Sequence, residues 1–237
     1  MGKDIPLEKR IILSFDVPTV EEAKQTVKQF ENRIRFYKIG LQLFLAGWFN
    51  IVDWILARDL EVFLDLKFFD VPQTVKLAVE QIRDKGISFT SVHGNDEIMK
   101  AAVSAKGTLK ILAVTVLTSL DEGDLRDLGF ECFVEDLVLS RAKRALEIGC
   151  DGVISSGLEA ARLREHLGKK FLVVTPGIRP VRNITDDQKR IVTVREAFLN
   201  GADYVVIGRP IRNARDPDSL IDRMHRDIRE ALQMRGF

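Results

Sequence analysis

Hydrophobic and polar positions follow two spacings along the chain. Eight short runs are almost continuously apolar and rich in β-branched residues, which is typical of buried strands. These runs are RIILSFDV, IRFYKIG, EVFLDLKF, SFTSVHG, LKILAVTVLTS, DGVISS, FLVVTPGI and YVVIGRPI. Between them, apolar residues recur at helical spacing, as in TVEEAKQTVKQFENRI and VEDLVLSRAKRALEIG. The pattern predicts a strand followed by a helix, repeated along the chain.

Apolar strands separated by amphipathic helices indicate a parallel sheet that helices cover. Eight such units in 237 residues fit a closed (β/α)₈ barrel, the TIM-barrel fold, better than an open doubly wound sheet, which is the alternative. The chain has no Pro/Ser-rich linker, composition shift or low-complexity tract. We therefore expect residues 1–237 to form a single α/β domain.

The composition and net charge of the chain limit which binding partners and which cellular compartment we expect for the protein. Lys and Arg number 36 and Asp and Glu 35, so the net charge of +1 gives no electrostatic footprint for nucleic acid or for an anionic membrane. Cys132 and Cys150 are too few for a disulfide framework and lack metal-ligand spacing. With no signal-peptide or membrane-spanning run in the sequence, we expect a cytoplasmic protein that binds neither nucleic acid nor membrane.

Charged residues concentrate at the predicted strand ends in the first half of the chain. Asp16 ends strand 1, Lys38 ends strand 2, and Asp65 and Lys67 end strand 3. The period of two along a strand sends residues 65 and 67 to the same side, which we expect to be the barrel interior, with Lys38 beside Asp65. Such alternating charges offset one another's desolvation. Taken alone, the cluster fits a structural ion-pair network as well as a catalytic one.

The second half of the chain contains a candidate anion site. Gly177 follows strand 7 and Gly208-Arg209 follows strand 8, where barrel enzymes frequently hold a phosphate group on backbone N–H groups. The irregular, polar segment of residues 177–193 is a candidate active-site loop. An acid–base cluster opposite a phosphate site favours an enzyme that acts on a phosphorylated substrate.

These motifs, taken in order, resemble the orotidine 5'-monophosphate decarboxylase family. The segment DLKFFDVPQT matches the family signature D-x-K-x-x-D-[IV]-x-x-T, and LSFDVP, FYKIG, VTVLTS, VTPGIRP, DDQKR and DYVVIGRPI accompany it along the chain. The resemblance implies decarboxylation of orotidine 5'-monophosphate to uridine 5'-monophosphate, the last step of pyrimidine nucleotide synthesis. It also implies that the enzyme uses no metal or organic cofactor and is a homodimer with shared active sites.

The resemblance also assigns roles to individual residues. Lys67 would donate the proton to C6 of the pyrimidine, and Asp65 would orient Lys67 near the departing carboxylate. Lys38 of the same chain and the partner subunit's Asp70 would complete the charge array. The substrate contacts would be Asp16 and Thr74 at the ribose and its neighbouring hydroxyls, Thr118 at the pyrimidine edge, and Arg179, Gln188, Gly208 and Arg209 at the phosphate.

Two other functional classes stay open at this point. A metal-dependent sugar-phosphate decarboxylase or aldolase of the related barrel group would share the D-x-K-x-x-D element. Such enzymes place a metal-binding carboxylate just before the strand 2 or strand 3 signature, where this chain has Tyr37 and Leu64. A barrel that only senses nucleotide phosphates would not need Lys67 and Asp65.

Overall fold

The computed structural model describes residues 3–179 and 192–236. Eight parallel strands form a closed barrel in chain order, and the last strand pairs with the first. The strands are β1 (Ile11–Phe15), β2 (Phe36–Gly40), β3 (Glu61–Phe68), β4 (Phe89–His93), β5 (Lys110–Val114), β6 (Gly152–Ile154), β7 (Leu172–Thr175) and β8 (Tyr204–Ile207). The predicted (β/α)₈ barrel is confirmed, and the open-sheet alternative is wrong. That residues 1–237 form one domain stays a prediction.

Helices follow the strands and cover the outside of the barrel. A short 3-10 turn, Leu7–Lys9, precedes β1. The helices of the described residues are α1 (Val20–Phe30), α2 (Leu41–Leu56), α3 (Pro72–Ile82), α4 (Asp96–Ala105), α5 (Glu122–Asp127), α6 (Val134–Ile148), α7 (Ala160–Leu167), α8 (Val194–Leu199), α9 (Arg209–Arg212) and α10 (Pro217–Met234).

Local sequence signals explain where these helices begin and end. The hydroxyl oxygen of Thr19 accepts a hydrogen bond from the backbone N–H of Glu22 and caps α1. Helix α6 ends at Gly149, whose φ of 102° lies in the left-handed region that glycine adopts without a steric penalty. The start of α1 and the end of α6 therefore coincide with local sequence signals that satisfy terminal backbone groups.

The apolar core forms two layers, one between the barrel and the helices and one inside the barrel. In the inner layer, the rings of Phe36, Phe89 and Tyr204 meet edge to face, with centroids between 4.9 and 5.7 Å apart. Phe63 packs on Phe89 at 6.1 Å and also lines a cavity at the carboxyl end of the strands. The packed interior of the barrel is thus the floor of that cavity.

Within residues 3–179 and 192–236, no helix combines the length and the hydrophobicity needed to cross a lipid bilayer.

Candidate active site

A cavity of about 320 Å³ opens at the carboxyl ends of the barrel strands. This is the end of the fold where barrel enzymes carry their active sites. Apolar side chains of four strands form its floor, namely Phe63, Val114, Ile154 and Val206. Eight of the residues predicted from the sequence line it, namely Asp16, Lys38, Asp65, Lys67, Thr118, Arg179, Gly208 and Arg209.

Positive and negative side chains alternate along one wall of the cavity. The Nζ of Lys67 lies 2.8 Å from Oδ2 of Asp65, and the Nζ of Lys38 lies 3.2 Å from the same oxygen. Lys38 also approaches Oδ1 of Asp16 at 3.7 Å. The order is therefore Lys67, Asp65, Lys38, Asp16, and each charge has an opposite charge beside it. This alternation explains how an apolar strand end accommodates ionised groups.

Asp65 is the most deeply buried member of this array, with 6% of its surface exposed. Burial alone would raise the pKa of its carboxyl group. The ammonium groups of Lys38 and Lys67, with hydrogen bonds from Lys67 and Ser91, outweigh burial and lower the pKa to about 2. Asp65 is consequently ionised at neutral pH, and both lysines face a full negative charge.

The end of β3 departs from the regular strand that the sequence predicts. Its pairing with β4 shifts between Leu64 and Phe68, and Lys67 has a φ of 48°, in the left-handed region. Asp65 and Lys67 lie together as expected, but an irregularity in the strand accompanies their proximity, so simple alternation does not account for it. Non-glycine residues adopt this conformation at a cost that the surrounding structure must offset.

Gly40 provides room for the charged groups. A Cβ atom at this position would lie 3.2 Å from Oδ1 of Asp16 and 3.2 Å from Nζ of Lys38. A larger residue would therefore require at least one of these two groups to move by a few tenths of an ångström. The backbone of Gly40 is extended, with a φ of -90°, so the turn into α2 does not itself call for glycine.

The opposite wall of the cavity comes from the ends of β7 and β8. Gly177 has a φ of 76°, and the guanidinium of Arg179 donates to the backbone carbonyl of Ile178 at 2.8 Å. Gly208 and Arg209 begin α9, and Gly208 passes close to β1, where a Cβ would lie 3.2 Å from the carbonyl of Ser14. Two arginines and two glycines thus line the wall facing the lysines. Predicted site residue Gln188 and most of the 177–193 loop lie outside the described residues.

The other predicted residues fall in two places. Thr118 is buried and lines the cavity just after β5. Asp70, between β3 and α3, and Thr74, in the first turn of α3, are exposed, and neither lines the cavity of its own chain. The Oδ1 of Asp70 accepts a hydrogen bond from the N–H of Val71 at 2.6 Å. A ribose contact by Thr74 within its own subunit is not supported by this placement.

Sequence reasoning missed two serines that contact the array. The hydroxyl of Ser14 donates to Oδ2 of Asp16 at 3.0 Å, and the hydroxyl of Ser91 donates to Oδ1 of Asp65 at 2.7 Å. Both serines lie within strands, where a small hydroxyl residue is common and gives no functional signal of its own. Ser91 reaches Asp65 only through the register of β3 and β4, whereas Ser14 lies two residues before Asp16 on the same segment.

The array leaves little room for a metal ion at Asp65. In the described ranges, no three side chains of His, Cys, Asp or Glu come together as a possible metal site. A divalent cation bound to Asp65 would lie against the ammonium groups of Lys38 and Lys67, which already contact its Oδ2. The two lysines therefore occupy the side of Asp65 that a cation would need.

Comparisons with known proteins agree with this geometry. The model of the orotidine 5'-phosphate decarboxylase / HUMPS family matches residues 9–224. A Methylococcus capsulatus protein named orotidine 5'-phosphate decarboxylase is 57% identical over 233 residues, covering 98% of this chain and 96% of that protein. A Nitrobacter winogradskyi protein of the same name is 46% identical over 232 residues, covering 97% and 96%.

Solved structures also match this chain, at lower sequence identity. The crystal structure of orotidine 5'-phosphate decarboxylase from Lactobacillus acidophilus superposes with a TM-score of 0.82 at 32% identity and covers 93% of this chain and 99% of that one. An uncharacterized conserved protein from Geobacillus kaustophilus superposes with a TM-score of 0.80 at 31% identity, covering 92% and 99%. The barrel, its charged wall and these matches together lead to one conclusion: the chain belongs to the orotidine 5'-phosphate decarboxylase / HUMPS family.

Proposed function

We propose that this chain is a carboxy-lyase that converts orotidine 5'-monophosphate to uridine 5'-monophosphate and CO₂ in pyrimidine nucleotide synthesis. The observation that carries the proposal is the pair of ammonium groups, Lys38 and Lys67, held on one buried carboxylate at the mouth of a cavity. The names of the relatives support the choice of substrate. The proposed reaction needs such a wall for a specific chemical reason.

Loss of CO₂ breaks the bond between C6 of the pyrimidine and its carboxylate. The electron pair stays on C6 in the plane of the ring, so the π system cannot delocalise it. A cation placed beside C6 stabilises this charge, and a proton delivered to C6 completes the reaction. Lys67 can serve as both, because its ammonium group lies at the cavity and its side chain keeps 35% of its surface exposed.

Asp65 holds this ammonium group in place and stays ionised because its pKa is low. In the proposed complex, its charge lies near the substrate carboxylate, and the repulsion between them is relieved as CO₂ departs. Lys38 balances the charge of Asp65 and extends the array towards Asp16. Asp16 and Thr118 both line the cavity, and in the proposed complex Asp16 would receive the ribose hydroxyls and Thr118 an edge of the pyrimidine.

The phosphate of the substrate would bind on the opposite wall, at Arg179, Gly208 and Arg209, with Gln188 as a further proposed contact. Phosphate does not react in this chemistry. Its binding energy can nevertheless contribute to catalysis if it positions C6 of the pyrimidine beside the ammonium group of Lys67.

A homodimer with shared active sites is the second part of the proposal. Asp70 and Thr74 are exposed and do not line their own cavity, and large apolar side chains are exposed beside them, including Phe69 at 65% and Val71 at 63%. Trp48, on the helix after the neighbouring strand β2, is 59% exposed. Burial of these groups against a second copy would be favourable and would bring Asp70 of each subunit towards the partner cavity.

The decisive experiment is an assay of the loss of orotate absorbance with the wild type and Lys67→Ala. We expect turnover by the wild type and a decrease of about 10³-fold or more in kcat for the variant, because cation and proton donor are both removed. Lys100→Ala serves as the matched control, since Lys100 is a surface lysine paired with Glu97 outside the barrel. Equal rates for Lys67→Ala and Lys100→Ala would refute the mechanism.

A chelator assay separates this proposal from the metal-dependent alternative. The proposed chemistry uses the ammonium group of Lys67 where the metal enzyme uses a divalent cation. We therefore expect the wild-type rate to be unchanged in excess chelator. Abolition of activity that added divalent metal restores would favour the alternative.

A further inference from the structure

Ser91 contacts both catalytic residues of β3 although it does not line the cavity. It lies in β4, and none of its surface is exposed. Its Oγ accepts a hydrogen bond from the backbone N–H of Lys67 at 3.0 Å and donates one to Oδ1 of Asp65 at 2.7 Å. A serine hydroxyl has one proton to donate and lone pairs to accept, so one atom can make both contacts at once.

The register of the two strands explains why Ser91 occupies this place. Leu64 pairs with Thr90 and Phe68 pairs with Val92. Three residues of β3, from Asp65 to Lys67, therefore lie opposite Ser91 alone. The surplus residues cannot follow the regular ladder, and the backbone of Lys67 turns to a φ of 48°. Its N–H then needs an acceptor outside the ladder, and the side chain of Ser91 supplies it.

The second contact determines which oxygen of Asp65 faces the lysines. Because Ser91 occupies Oδ1, Oδ2 is the oxygen that receives both ammonium groups, at 2.8 Å from Lys67 and 3.2 Å from Lys38. Rotation of the carboxylate would break the hydrogen bond to Ser91. The hydroxyl thus links the backbone of one charged residue to the side chain of the other.

We propose that Ser91 is a positioning residue that holds Lys67 and Asp65 in the geometry required for turnover. Its hydroxyl stabilises the unusual backbone of Lys67 and sets the rotation of Asp65, so that the ammonium group is directed at the substrate. Ser91 itself touches no reacting atom. The inference rests on the proposed decarboxylase function, because it assigns Ser91 a role in that same site.

The test compares Ser91→Ala with Thr90→Val. Thr90 is the neighbouring residue of the same strand, is equally buried, and donates its hydroxyl hydrogen bond to the carbonyl of Leu64. Both substitutions remove one buried hydroxyl from β4, but only the first removes a contact to the catalytic pair. We expect Ser91→Ala to lower kcat by about 10- to 100-fold, since small displacements of catalytic groups cost that much. Thr90→Val should keep kcat within about threefold of the wild type.

Two further measurements distinguish positioning from a general loss of structure. Affinity for uridine 5'-monophosphate should be unchanged in Ser91→Ala, because base and phosphate contacts are intact and only the reacting geometry is lost. Amide hydrogen exchange at Lys67, followed by NMR, should accelerate in Ser91→Ala and not in Thr90→Val. Should Ser91→Ala fail to fold, Ser91→Cys fills the same space with a weaker donor and acceptor and should lower kcat in the same direction.

A kcat for Ser91→Ala equal to that of Thr90→Val would overturn the inference, as would a parallel loss of kcat and nucleotide affinity. These results would leave the proposed function intact, because the wild type would still turn over the substrate. If the wild type itself showed no decarboxylation, the proposed function would fail first. The two failures are therefore distinguishable in one set of assays.

Discussion

At the scale of single residues, the main feature is one carboxylate shared by two ammonium groups. Asp65 is buried and accepts contacts from Lys38, Lys67 and Ser91. Desolvation of a charge costs several kcal/mol, and these partners more than offset its effect on the pKa. Asp65 is therefore the central member of the array. Its removal would take away the carboxylate that Lys67 contacts and the shorter of the two contacts of Lys38.

The pH dependence of the unfolding free energy should show how much the ionised Asp65 contributes to stability. The pKa of Asp65 is about 2 in the folded protein, below its ordinary value of 3.8. A lowered folded pKa contributes stability above the unfolded pKa, and this contribution of about 2 kcal/mol disappears as pH falls from about 4 towards 2. We expect the difference in unfolding free energy between the wild type and Asp65→Asn to shrink over this range in urea titrations. The exposed variant Glu97→Gln should differ little from the wild type at any of these pH values.

The two cysteines provide a simple check at the same scale. Cys132 is exposed, whereas Cys150 is buried and burial raises the pKa of its thiol to about 12. Since the thiolate is the reactive form, we expect a thiol reagent to titrate one group per native chain and two after unfolding. Rapid reaction of both thiols in the native protein would contradict the burial of Cys150.

At the scale of elements, the strands and most helices could be predicted because their signals are local. Near-continuous apolar runs mark strands buried on both faces, and Gly149 marks the end of α6. The irregular end of β3 could not be predicted in this way. It depends on the pairing of Leu64 and Phe68 with β4, which no periodicity within β3 reveals. Ser91 was missed for the same reason, because its role follows from the register.

The end of α6 offers a prediction for a single element. Gly149 has a φ of 102°, and a Cβ there would meet only Val103 at an ordinary 3.5 Å. The cost of Gly149→Ala is therefore conformational, and we expect a loss of about 1 kcal/mol in unfolding free energy with unchanged kcat. Gly149→Asn should cost less, because asparagine tolerates the left-handed region better than alanine. Denaturant titration of both variants measures the difference.

At the scale of the whole molecule, the chain supplies the charged wall of the cavity, but part of the DLKFFDVPQT segment lies outside that cavity. The segment DLKFFDVPQT places Asp65 and Lys67 in the cavity and Asp70 and Thr74 outside it. The sequence alone predicted the first pair correctly as neighbours, since both belong to one strand end. The sequence alone could not show that Thr74 lies outside the cavity, because the path of the chain into α3 determines the position of that residue.

Mixing two inactive variants should restore activity if the proposed shared site exists. In a heterodimer of Lys67→Ala and Asp70→Ala, one of the two sites combines an intact Lys67 with an intact Asp70 from the partner subunit. With random exchange of subunits, half of the dimers are mixed and half of their sites are complete, so about a quarter of wild-type activity per subunit is expected. The orotate assay after subunit exchange, with heterodimers counted by mass spectrometry, measures this recovery.

The matched control for this mixture pairs Lys67→Ala with Asp65→Ala. Asp65 and Lys67 contact each other within one chain, so each complete site must draw both from the same subunit. A heterodimer of these two variants contains no site with both groups, and no activity should return. Recovery in the first mixture alone would place Asp70 in the cavity of the partner subunit. Absence of recovery in the first mixture despite abundant heterodimers would instead confine the active site to a single chain and contradict the proposed shared site.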